Sequence, residues 1–106
     1  MDIKELTREM DAFVAAKGWY APDSPKPQNP RSLAISLAIE SAEVLELMQW
    51  TDLPPDKAAL ASELADVALY LLQLAKVSEI DLEAAVLAKL SENYQREWNT
   101  PKRDLE

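Results

Sequence analysis

The sequence predicts an all-α fold, a single domain of four helices joined by short connections. Three observations predict it. Ala, Leu and Glu, all strong helix formers, dominate the 106 residues, and the chain holds only one Gly. Strand-like runs rich in Val, Ile and Thr are missing. Apolar residues recur instead at steps of three and four, the period of a helix with one buried face. With 48% hydrophobic residues the chain is not disordered. Its length suits one modest core, assigned to residues 1–100, with 101–106 as a loose tail.

Each helix has its own start and stop signals. The first is expected over residues 2–17, with Asp2 as N-cap and Ile3, Leu6, Met10, Phe13 and Val14 at helical spacing. Gly18 is its natural stop. Residues 18–32 hold four of the seven prolines and read as a stiff loop that carries Trp19 and Tyr20. Asn29 caps a second helix with Pro30 in its first turn, expected to run to about Trp50. The segment TDLPPD breaks it. A third helix is expected from about Pro55 to Ser78, apolar on nearly every side. Such a helix must be buried almost all round, which four helices of one chain rarely achieve, so a partner copy is expected to cover part of it. Asp81 starts a fourth helix that extends to about Trp98, with Val86, Leu87, Leu90 and Tyr94 as its apolar stripe, and Pro101 closes it.

Charge and composition exclude several functions. The net charge of −8, from 19 acidic and 11 basic residues, leaves no basic patch for DNA or RNA. The N-terminus is charged throughout, so it is not a signal peptide. No uninterrupted apolar run was long enough to span a bilayer on this reading, so no membrane association is expected. The absence of Cys is compatible with a reducing cytoplasm, the expected location. Without His or Cys, there is no Ser-His or Cys-His nucleophile and no Glu-x-x-His di-iron motif.

The chemistry concentrates in two carboxylate pairs. Glu40 and Glu43 on the second helix, and Glu63 and Asp66 on the third, are each spaced i, i+3 and leave one helix face. Either pair alone is more often a solvated surface. Both, however, sit inside apolar stretches where burial is expected, and four buried acids need a cation between them. Oxygen ligands alone favour a hard cation, Mg²⁺ or Mn²⁺. Tyr70 and Gln73 extend the polar stripe of the third helix, and Lys89, Asn93 and Arg96 make another on the fourth. If the stripes converge, they form a pocket with an acidic floor and a basic wall. Taken singly, Lys89 and Arg96 read as surface charges, Trp50 as a helix-end anchor and Tyr70 as a core residue.

These residues resemble a known family. The segment IESAEVLELMQW followed by SELADVALYLLQLA is similar to the MazG-like nucleotide pyrophosphohydrolases of the all-α NTP pyrophosphatase superfamily. The similarity extends over residues 5–98 and is greatest to the dCTP pyrophosphatase branch. The matching positions are Pro30-Arg31-Ser32-Leu33, Gln49-Trp50, and Glu63 to Tyr70. The resemblance implies hydrolysis of a nucleoside triphosphate to the monophosphate and pyrophosphate, with a deoxynucleotide such as dCTP preferred. It implies that Glu40, Glu43, Glu63 and Asp66 hold Mg²⁺, with Mn²⁺ as a substitute, and that Glu40 or Glu43 activates water. It further implies that Lys89, Asn93 and Arg96 contact phosphates, and that Trp19, Arg31, Trp50 and Tyr70 line the base and sugar. A homodimer or homotetramer is implied, as a helical-bundle assembly. The chain departs from the family in Ile39, where many relatives have a second Glu, in a longer loop before Arg31, and in Arg96-Glu97-Trp98 at the end of the fourth helix. Two alternatives stay open: a helical oligomerisation module without catalysis, and a superfamily pyrophosphatase for dUTP or phosphoribosyl-ATP.

Overall fold

The structure, a computed structural model, describes residues 1–96. Trp98, Pro101 and the expected tail lie outside the described residues. Four helices follow in order: α1 (Ile3–Ala16), α2 (Pro30–Glu46), α3 (Lys57–Val77) and α4 (Leu82–Gln95).

Short polar side chains start each helix by accepting hydrogen bonds that its first turn cannot make internally. Asp2 Oδ1 accepts from the Glu5 amide at 2.8 Å, and the Glu5 side chain accepts in return from the Asp2 amide, closing a capping box. Asn29 Oδ1 accepts from the Ser32 amide at 2.8 Å, with Pro30 behind it. Asp56 and Asp81 cap α3 and α4 in the same way, through Ala59 and Ala84.

The helix ends are as specific. Gly18 has φ 75°, the Gly18 amide donates to Ala15 O and the Trp19 amide to Val14 O. This 5→2 and 6→1 pair is the Schellman arrangement, and it turns Trp19 and Tyr20 back over α1. The end of α3 repeats it: the Glu79 amide donates to Lys76 O and the Ile80 amide to Ala75 O. There the left-handed position is taken by Glu79 at φ 57°.

Three boundaries differ from the sequence expectation, the first being α4, which ends at Gln95 with Arg96 in extended backbone rather than near Trp98. α2 ends at Glu46 rather than near Trp50. The Leu47, Met48 and Gln49 amides donate three residues back, to Val44, Leu45 and Glu46, so the chain tightens into turns. α3 starts at Lys57, after Pro54 and Pro55, because Asp56 supplies the cap. On length and composition alone α3 is apolar enough to cross a bilayer; Glu63 and Asp66 interrupt its apolar run, and α1 and α2 both pack against it.

α3 is the hub of the fold, with α2 lying along it and α1 crossing it. Met10 and Val14 of α1 meet Leu72 of α3, and Trp19, Tyr20 and Leu82 pack around them. Leu33 of α2 is the most buried large side chain, which contributes about 2 kcal/mol. Beyond Leu82, α4 packs along neither α2 nor α3. Val86, Leu87 and Leu90 are exposed, as are Leu64, Leu69 and Leu71 of α3. The radius of gyration is 16.8 Å, against about 13 Å for a compact domain of this length.

Candidate active site

The packing of α2 on α3 brings the acids together. One carboxylate oxygen from each of Glu40, Glu43 and Glu63 lies within 4.8 Å of the others, all three side chains being half-buried. Glu40 Oε2 and Glu63 Oε2 are occluded and accept no hydrogen bond. Carboxylates left so are unstable in their charged form. Proximity to Glu43, close enough to share a proton, raises Glu40 to about 7, with burial and the charges of Glu43, Asp66 and Glu63 adding to the rise. Burial is the main cause for Glu63, which is also raised, followed by the same sharing with Glu43 and the charges of Glu43, Asp66 and Glu46. Oxygen donors on two helices, with orphaned oxygens and mutual repulsion, suit a hard divalent cation. Glu40, Glu43 and Glu63 are the residues positioned to hold one, with Asp66 beside them.

Asp66 also opens onto a cleft of about 730 Å³ between α1, α2, α3 and the proline-rich loop. Tyr70 and Gln73 follow it on the same face of α3 and line the cleft with Trp19. Phe13 meets the Trp19 ring edge-on at 5.8 Å. The Schellman turn at Gly18 is what aims Trp19 here.

Not every expected residue is at this place. Arg31 is exposed, and Trp50 is 88% exposed beyond the end of α2; neither lines the cleft. Lys89, Asn93 and Arg96 stay on the projecting α4. Lys89 pairs with Glu92 at 3.5 Å, and Arg96 approaches Glu92 at 3.9 Å. α4 packs along neither α2 nor α3, and Lys89, Asn93 and Arg96 do not line the cleft.

Lys26 and Gln28 are among the cleft residues not singled out from sequence. Lys26 lies over the Trp19 ring, its Nζ 5.0 Å from the centroid. Gln28 accepts a hydrogen bond from Gln73 Nε2 at 2.5 Å. Both belong to an aperiodic loop, and the one available signal was the Asn29-Pro30 cap, which places Gln28 next to a helix start.

Fold and site together define a helical domain with a carboxylate centre next to an aromatic-lined cleft. The chain belongs to the MazG nucleotide pyrophosphohydrolase family, whose domain matches residues 28–97. It is 38% identical to dCTP pyrophosphatase 1 of Homo sapiens and 36% identical to that of Rattus norvegicus, over 104 residues and 90% of this chain. It spans about half the length of these curated relatives, 56%. A crystal structure of a pyrophosphatase from Archaeoglobus fulgidus is 34% identical and superposes with a TM-score of 0.76, covering 92% of each chain.

Proposed function

We propose that the chain is a divalent-cation-dependent pyrophosphohydrolase converting a nucleoside triphosphate and water to the monophosphate and pyrophosphate, with dCTP as a preferred substrate. The observation that carries this reading is the meeting of Glu40, Glu43 and Glu63 within 4.8 Å across two helices. The relatives named as dCTP pyrophosphatases support the choice of substrate.

In this reading Glu40, Glu43, Glu63 and Asp66 hold Mg²⁺, and Mn²⁺ can replace it. The cation, when bound, offsets the charge of the triphosphate and makes a water more acidic. Glu40 or Glu43 orients that water or takes its proton. Trp19 and Tyr70 line the space for the base, and Lys26 adds a positive charge at the same cleft. Lys89, Asn93 and Arg96 act on phosphates, and Arg31 and Trp50 on the nucleoside, within a homodimer or homotetramer. The extended protomer and the exposed apolar stripe of α4 support that assembly.

Pyrophosphate release measured on a panel of ribo- and deoxynucleotides with Mg²⁺ tests the proposal. Turnover of dCTP supports it. Turnover of only dUTP or phosphoribosyl-ATP would move the chain elsewhere in the superfamily. No turnover together with no thermal shift by Mg²⁺ would leave an oligomerisation module.

A further inference from the structure

Gln73 is 3% exposed, lies on α3 among otherwise apolar buried residues, and lines the cleft. A buried amide is costly unless its donors and acceptors are used. Here the amide nitrogen is engaged: it donates to Gln28 Oε1 at 2.5 Å.

The orientation of an amide is set by what surrounds it, and here the chain of contacts ends on a group of fixed polarity. Gln28 Nε2 donates to the backbone carbonyl of Lys26 at 2.7 Å, and a carbonyl can only accept. That forces Gln28 to present its oxygen to Gln73. Gln73 thus has its nitrogen pinned by Gln28. No described residue donates to its Oε1, and that atom is not sealed from solvent.

We propose that the Gln28–Gln73 relay fixes the Gln73 carbonyl oxygen as an acceptor for an exocyclic amine on the substrate base. The site then favours a base with an amino group, such as cytosine, over its carbonyl counterpart, uracil. This rests on the nucleotide pyrophosphohydrolase reading above. Asp66, Tyr70 and Gln73 fall on one face of α3 and line one cleft, with Asp66 standing beside the acid cluster at its edge. A uracil would set its own carbonyl against Gln73 Oε1. Turning the amide to suit it would break the N–H contact to Gln28 and set two amide oxygens against each other.

The test compares kcat/KM for dCTP and dUTP, which differ at the base edge, using the full chain with saturating Mg²⁺. Wild type is expected to favour dCTP by roughly 10- to 100-fold. Gln28→Leu cuts the relay on the exposed loop and frees the amide to turn, so the ratio should fall about 10-fold through a gain on dUTP. Gln73→Leu should remove most of the preference through a loss on dCTP. Thermal melts check that both variants fold. An unchanged ratio in Gln28→Leu, or equal losses on both nucleotides in Gln73→Leu, would overturn the proposal while leaving the pyrophosphohydrolase reading in place. A wild type that releases pyrophosphate from no nucleotide would overturn both.

Discussion

The Tyr20 hydroxyl donates to Asp11 Oδ1 at 2.6 Å, and Lys76 Nζ reaches the same oxygen at 3.0 Å while lying over the Tyr20 ring. One carboxylate therefore ties α1, the proline-rich loop and α3 together. The contact holds the loop that forms a wall of the cleft.

Removing the hydroxyl should loosen that tie. Tyr20→Phe is expected to cost about 1 kcal/mol, lowering Tm by roughly 5 °C for a domain of this size. The hydrogen bond from Tyr20, more than Lys76, holds Asp11 below the usual carboxylate range. A lowered folded pKa means stability that is present above the ordinary carboxylate pKa and lost as pH falls through the lowered value. Acid unfolding should accordingly be less steep in Asp11→Asn.

The same contact has a spectroscopic mark at high pH. Burial, then the bond to Asp11, pushes Tyr20 up to about 12. Between 10 and 12 the unfolded chain loses this proton while the folded chain keeps it, so folding weakens as pH rises through that window. Absorbance titration should find one of the three tyrosines ionising near 12 in wild type and earlier in Asp11→Asn.

Glu63→Gln should abolish turnover without unfolding the chain. The variant removes one negative charge from a repelling cluster, so its Tm without divalent cation should equal or exceed that of wild type. The stabilisation by Mg²⁺ should disappear. A variant that keeps full activity would remove Glu63 from the metal site.

Glu40 predicts how cation binding depends on pH. Without cation its folded pKa is about 7, above an ordinary 4.5. Between those values the folded chain holds a proton that the unfolded chain has released. The cation-free protein should lose stability as pH rises through that window. A cation must displace the proton, so the Mg²⁺-induced rise in Tm should grow from pH 6 to pH 8. Calorimetry in buffers of different ionisation enthalpy should detect the released proton.

Glu79 and Gly18 occupy equivalent left-handed positions at two helix ends. Glu79→Gly should stabilise the fold by about 1 kcal/mol by relieving a conformation that costs a side chain roughly that much. Gly18→Ala should cost about the same, since an added methyl meets no atom within 4 Å and only the backbone objects. Chemical denaturation measures both.

The parts of the molecule written in local chemistry were legible in the sequence. Asp2, Asn29 and Asp81 announce their helices because capping depends on three or four adjacent residues. The acid pairs are visible because i, i+3 spacing is a property of one helix, and their meeting follows once two such helices pack. The end of α2 was not legible: Leu-Met-Gln-Trp is a good helical sequence, and no Gly or Pro marks the stop before Pro54. The α4 stripe of Val86, Leu87 and Leu90 was visible as a stripe, but a stripe does not say which surface it meets. Lys26 and Gln28 stood in a loop without periodicity, where only the folded chain brings them to Trp19 and Gln73.

α3 carries Glu63 at one end of the site and Gln73 at the other. Ten residues of helix make a rigid ruler of about 15 Å between them. Its graduations are angular as well as linear, since each residue turns the next by about 100°. A single residue inserted between Tyr70 and Gln73 would leave both acid pairs aligned and swing Gln73 out of the cleft. The register of one helix thus sets how far from the carboxylates, and on which side, the cleft ends.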